Sequence, residues 1–197
     1  MRESSVRERI KYHRENEVDI EEFLFDVGAI QPIDGDEELQ FTEKFASRLE
    51  KQIPQVRNRG VQRSDLTRLF GVEKEDIELV DRSYPAYKII RTIHRWPGDA
   101  ALILDTAADL AFRETTDRWE NVPPKQRFDI VQSLRSFHER CPACDGSLQM
   151  TPEPVTSACS DRSVVAFRCS ECNEHFMEFH PSEYGFDIEE PGHNWIP

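Results

Sequence analysis

The sequence predicts an α+β chain, on three observations. Two C-x₂-C pairs, Cys141-Pro-Ala-Cys144 and Cys169-Ser-Glu-Cys172, stand near the C-terminus with one compact β-run between them. A long stretch around Leu104–Phe112 repeats apolar residues at helical spacing. Elsewhere, short apolar runs are bounded by Gly, Pro and Asp, as in small antiparallel sheets.

From the N-terminus, residues 1–17 are highly charged and read as a surface helix. Phe23, Leu24 and Val27 mark one face of a short helix ending near Gly28. Residues 29–33 read as a strand, Asp34-Gly35-Asp36 as a turn, and residues 39–41 as the returning strand. Thr42 with Glu43 starts the next helix, and Phe45, Ala46 and Leu49 form its buried stripe. Helix, hairpin, helix is the order of the second half of a winged helix, so residues 1–60 are expected to be a winged-helix-like unit. PQVRNRG, residues 54–60, reads as a breaker-rich linker.

Residues 61–138 are expected to form a helical middle domain with a short β-hairpin. Ser64 caps a short helix over residues 65–70, closed by Gly71. Residues 77–80 and 86–93 are the strand candidates, with Tyr84-Pro85 at the turn. A long helix is predicted from about Gly98 to Trp119, lined by Leu104, Ala107, Ala108, Ala111 and Phe112. On this reading Asp109/Arg113 and Glu114/Arg118 are surface i,i+4 pairs. Asn121-Val122-Pro123-Pro124 breaks it, and a second helix runs from Pro124 to about Glu139. Residues 139–182 hold the cysteines, and residues 183–197 form an acidic, breaker-rich tail.

The cysteine spacing carries the chemistry. A C-x₂-C pair puts two thiolates on one tight turn, and two facing turns supply four sulfurs at the tetrahedral positions Zn²⁺ accepts. Gly146 and Asn173 follow the turns and tolerate the left-handed backbone these need. Leu148 and Met150 share one side of a strand that Pro152–Pro154 interrupts, and Val164–Phe167 enters the second turn. The pattern predicts a C-terminal zinc ribbon with one structural Zn²⁺ on Cys141, Cys144, Cys169 and Cys172. Iron in a rubredoxin-like site uses the same two turns and is the less favoured metal. Disulfides rank lower, since nothing places the chain in an oxidising compartment. Four thiolates leave no open coordination position, so the site is expected to be structural. Cys159, His175 and His180 are expected to be bystanders.

Composition bounds the rest. The chain of 197 residues has a formal net charge of −13 and a sequence pI near 4.9. Its Asp plus Glu number 38 against Lys plus Arg 25, and the cations are mostly Arg. That balance suits a surface adapted to high salt, where self-repulsion is screened. No apolar run is long enough to span a bilayer, and the first residues have no apolar core like that of a secretory signal. The expectation is a cytoplasmic protein with no membrane partner.

No phosphate-cradling glycine motif occurs. His138-Glu139 opens like a metalloprotease helix, but Pro142 stands where the second His belongs. Glu190 and His193 have E-x-x-H spacing with Pro and Gly between them. Asp105 and Asp109 lie one helical turn apart and read as a solvated face, with cation binding the sharper alternative. His94, Arg95 and Trp96 form the most unusual polar cluster, noted as a possible functional one. Arg57, Arg59 and Arg63 are the possible nucleic-acid contacts. No catalytic residue or small-molecule substrate is identified, and the chain is expected to be non-enzymatic.

RLFGVEKEDIELVDRSYPAYKI, HRWPGDAALILDTAADLAFRE, LRSFHERCPACDGSL and VVAFRCSECNE together resemble an uncharacterised haloarchaeal protein family. Its members join a winged-helix-like N-terminal part to a C-terminal zinc ribbon. The resemblance covers most of residues 18–180. It implies a haloarchaeal source and zinc on the four cysteines, and brings no known activity. The family carries more cysteine near position 159 than the single Cys159 here. The expected role is a regulatory or adaptor protein whose ribbon and helical middle region meet a protein partner. The alternatives are a DNA-binding transcriptional regulator reading through residues 1–60, and an iron redox protein.

Overall fold

The computed structural model describes residues 11, 15–33, 38–157 and 160–179, with no side chains described over 151–157 and 160–164. The turn expected at Asp34-Gly35-Asp36, Cys159, His180, the acidic tail and most of the charged N-terminal segment lie outside these residues. Mixed helix and sheet is the architecture, as the pattern predicts.

Helix α1, Ile20–Asp26, starts because the Asp19 carboxylate accepts the Glu22 N–H at 2.9 Å. Its apolar residues Phe23 and Leu24 turn into the core. Strands β1 (Ile30–Pro32) and β2 (Leu39–Phe41) pair antiparallel, Ile30 opposite Phe41. The Thr42 hydroxyl joins hairpin to helix: it donates to the Gly28 carbonyl at 2.6 Å and accepts the Phe45 N–H at 3.2 Å. Helix α2, Glu43–Arg59, follows.

Helix α2 runs straight through the stretch read as a linker. Phe45, Leu49, Ile53 and Val56 continue one apolar stripe past Pro54 and are all buried. The proline forgoes one backbone bond, but burial of the stripe on both sides of it outweighs that loss. Helix α3, Arg63–Phe70, is started by Gln62 rather than Ser64; the Asp65 carboxylate accepts the Gln62 N–H at 2.8 Å. Gly71 stops it in the left-handed region, φ 61°.

Strands β3 (Ile77–Leu79), β4 (Ala86–Ile89) and β5 (Thr92–Arg95) form an antiparallel meander. The single run expected over 86–93 is thus two strands. Ile90 turns the chain at φ 57°, and its N–H donates to the Asp76 carbonyl at 2.8 Å. An isoleucine in that region is invisible to a propensity reading, which expects glycine or asparagine there.

Helix α4, Asp99–Thr115, is the spine of the fold. It ends before the predicted Trp119, because Thr116 is extended and caps a 3₁₀ turn over Asp117–Asn121. That turn folds Trp119 back onto Phe112, with ring centroids 4.3 Å apart. Glu114 therefore meets Lys51 and Gln52 of α2, and Arg118 meets Asp26, instead of pairing with each other. Helix α5, Pro124–Ser133, passes into a 3₁₀ turn over Leu134–Phe137, earlier than the predicted end near Glu139.

Asp105 and Asp109 are not a solvated face. Asp105 has no exposed surface; it accepts the Trp96 indole N–H at 2.8 Å and both Nε (2.9 Å) and Nη2 (2.5 Å) of buried Arg135. Asp109 repeats the arrangement one turn later, with the Trp119 indole N–H at 2.8 Å and Arg113 Nε at 3.0 Å. Each carboxylate is compensated by one guanidinium and one indole, so neither has lone pairs in search of a cation.

Beyond α5 the chain forms an antiparallel sheet of β6 (Leu148–Ser157), β7 (Ser160–Cys169) and β8 (His175–Phe179). Pro152 and Pro154 do not interrupt β6. It is an edge strand, and two prolines of equal parity both turn their nitrogens away from β7. Met150 is exposed while Leu148 packs against the core.

Candidate metal centre

The two cysteine turns are built alike. In the first, Cys141 N–H donates to Gly146 O at 2.8 Å and Asp145 N–H to Cys141 O at 2.7 Å. In the second, Cys169 N–H donates to Glu174 O and Asn173 N–H to Cys169 O, both at 3.0 Å. The fifth residue of each is left-handed: Asp145 at φ 69° and Asn173 at φ 58°. Asn173 is as expected. In the first turn Asp145 takes that place, since a short polar side chain tolerates it. Gly146 serves space instead: a Cβ there would lie 2.9 Å from Cys169 Sγ and 2.5 Å from Glu171 Cγ.

This mutual approach gathers the four sulfurs. Cys141 Sγ lies 3.6 Å from Cys172 Sγ and Cys144 Sγ 3.4 Å from Cys169 Sγ, with all four within 4.8 Å of one another. Those gaps exceed a disulfide bond of about 2.05 Å. A tetrahedron with metal–sulfur bonds of about 2.3 Å has edges of about 3.8 Å, so the donor set fits one tetrahedral ion. Cys141 and Cys169 are buried; Cys144 and Cys172 face solvent.

Burial pushes the Cys141 and Cys172 thiols up. For Cys169 burial also raises the pKa, but the N–H groups of Cys172 and Glu171, together with hydrogen bonds from the Cys144 and Cys172 thiols, outweigh it and bring it down to about 7. Hydrogen bonding thus favours thiolate at Cys169, which a bound cation would neutralise. His138 stands behind the first turn, its ring 6.2 Å from that of Phe176; burial lowers its pKa to about 4, so it is neutral at pH 7. Among the described residues these cysteines are the one group of three or more His, Cys, Asp or Glu placed to hold a metal.

The module does not hang free. Cys141, Cys169 and Phe176 belong to the same buried cluster as α1, α2 and α4. The Glu174 carboxylate, two residues after Cys172, accepts the Asp99 N–H at 3.0 Å at the first turn of α4. Gly98 lets this happen, since a Cβ there would lie 2.4 Å from His175 O and 2.6 Å from Glu174 Oε2. Gly98→Ala should therefore cost about 2 kcal/mol by forcing the module off the helix. The check is urea unfolding of the metal-loaded variant, with metal content measured alongside; a drop in stability at unchanged metal content is expected.

The other predicted site residues go separate ways. Trp96 is buried on Asp105, His94 packs its ring 4.5 Å from Phe70 and 5.0 Å from Phe128, and Arg95 is exposed. Arg59 makes a two-point bond to Asp65 at 2.6 and 3.0 Å, and Arg63 is exposed at the start of α3. Arg57 is half-buried and lines a cleft beside the first cysteine turn. Sequence reading missed the Gly98–Glu174 contact, whose partners are far apart in the chain. No described helix is long and apolar enough to cross a membrane.

No curated protein and no solved structure matches the chain. Two family models do. One, the central domain of a family of unknown function (DUF8054), matches residues 19–136 and so takes in everything from α1 to the 3₁₀ turn after α5. The other, the C-terminal domain of the same family, matches residues 139–179, the cysteine turns and their sheet. The chain belongs to the DUF8054 family, with its central and C-terminal domains joined through Gly98, Glu174 and a shared core.

Proposed function

We propose that the C-terminal module is a zinc ribbon holding one structural Zn²⁺, in a non-enzymatic regulatory or adaptor protein that binds a macromolecular partner. What carries the reading is the pair of matched turns that bring four cysteine sulfurs within 4.8 Å. Four thiolates close the coordination sphere, which suits a structural ion and leaves no position for a reacting group. A small three-stranded module of this kind draws much of its folding free energy from such an ion. Cytoplasmic location, a haloarchaeal source and a winged-helix-like unit in the N-terminal part complete the proposal. The excess of carboxylates and the helix–hairpin–helix order of α1, β1–β2 and α2 favour the last two.

Metal analysis tests the first half. The purified chain should be colourless and carry one zinc, lost with Cys172→Ser; a red-brown protein with stoichiometric iron would instead make it a redox protein. A crosslinked pull-down from the native host at native salt, with and without nuclease, tests the second. A defined protein partner that survives nuclease supports the adaptor role. Specific DNA recovered without a protein intermediary would replace it with a regulator that reads DNA.

A further inference from the structure

A cleft of about 560 Å³ opens between α2 and the first cysteine turn. One face of α2 lines it: Glu50, Ile53, Pro54 and Arg57, at the i, i+3, i+4 and i+7 spacing that aligns side chains along a helix. Phe41 and Phe137, rings 5.6 Å apart, add aromatic surface. The wall is therefore graded, with a carboxylate at one end, an apolar middle and a guanidinium at the other. Across from it, Arg140 is matched by Asp145 at 2.9 Å, and Glu139 adds a second carboxylate. Glu50 and Arg57 have no ion-pair partner among the described residues, although both face the same cleft.

We infer that this cleft docks an extended peptide segment of a partner protein, four residues long, with a basic residue at one end, an acidic residue at the other and an apolar residue between. The charge order on α2 selects it. Glu50 and Arg57 lie roughly 10 Å apart along the axis at about 1.5 Å per residue. A chain in the extended polyproline-II conformation spans about that distance in three steps of about 3.1 Å, and its three-residue turn brings both charges to the same wall, which sets their i,i+3 separation. The apolar side chain between them then turns off the α2 wall toward Phe41 and Phe137, while the peptide backbone passes over Ile53 and Pro54. A wholly acidic segment would meet Glu50 and Glu139, and a wholly basic one would meet Arg57, so the mixed order is what the cleft accepts. The inference rests on the adaptor reading and names its docking surface.

The test is a titration of ¹⁵N-labelled, zinc-loaded full chain with acetyl-Gly-Lys-Ser-Leu-Glu-Gly-amide. Amide shifts should concentrate on residues 50–57 and 137–142. Arg57→Glu, checked for retained zinc and an unchanged fold, should weaken this peptide about tenfold, or 1.4 kcal/mol. The same variant should gain the Lys/Lys peptide, acetyl-Gly-Lys-Ser-Leu-Lys-Gly-amide, by a similar factor. Arg57→Gln serves if Arg57→Glu does not fold, and should weaken the first peptide without gaining the second. No shifts at millimolar peptide, shifts elsewhere, or equal binding by the variants would overturn the proposal. Concentration-dependent shifts at these residues without peptide would assign the cleft to a second copy of the chain, which also overturns it. The two readings fail separately. A host partner that still binds Arg57→Glu sinks this surface and leaves the adaptor role standing. Absence of any protein partner sinks the adaptor role, while the titration still decides the cleft.

Discussion

Cys144→Ser and Cys169→Ser should both unfold residues 139–179, although one thiol faces solvent and the other is buried. Packing alone predicts a large loss only for Cys169. Shared ligation predicts the same loss for both, because removing any one of four thiolates breaks the ion's coordination shell. The free energy at stake is large, since structural zinc in small ribbons and fingers contributes about 10–16 kcal/mol of apparent binding. Heteronuclear NMR checks this: amide signals of residues 139–179 should collapse to unfolded positions in each variant. A dispersed sheet in Cys144→Ser would show that the turns stand without metal. The central domain should weaken as well, because Cys141, Cys169 and Phe176 leave the common core and Glu174 leaves the first turn of α4.

Asp105→Asn should destabilise the central domain by about 3–5 kcal/mol, the cost of leaving a buried charge without its partner. Arg135 is 6% exposed and gives both Nε and Nη2 to this one carboxylate. An amide keeps the shape and accepts one bond, but it carries no charge to offset the guanidinium. The double variant Asp105→Leu/Arg135→Met should recover most of the loss, since matched apolar side chains need no compensation. Urea unfolding of the zinc-loaded single and double variants measures both. A single variant within about 1 kcal/mol of wild type would mean that the pair is solvated in solution. A double variant as unstable as the sum of the singles would mean that the two residues act apart.

These two predictions come from opposite ends of what the sequence made readable. The four-cysteine cluster needed only local spacing, because a C-x₂-C turn is complete within six residues. Thr42, the apolar stripe of α2 and the stop at Gly71 were legible for the same reason. Asp105 was misread because acids four apart on a helix are usually solvated, and its partners stand nine residues before and thirty after. One signal was there. Ala100, Ala101, Leu102, Leu104, Ala107, Ala108 and Ala111 cover more than one face of α4, and a helix apolar all round is buried together with whatever acids it carries. Pro54, Pro152 and Pro154 misled in the same manner: each breaks a rule of local propensity that burial of a continuous stripe, or an edge position, overrides. Gly98 gave no warning, since what fills the space of its missing Cβ arrives 77 residues later, at His175.

The central claim is that one ion in the four-cysteine site both folds the C-terminal module and ties it to α4. Hydrogen exchange of the full chain, before and after zinc removal by a chelator, tests it most directly. The account predicts that protection falls across residues 139–179 and also over the first turn of α4, Asp99–Leu102, and that one equivalent of zinc restores both. Unchanged exchange in the cysteine turns would contradict the metal, and loss confined to residues 139–179 would contradict the tie.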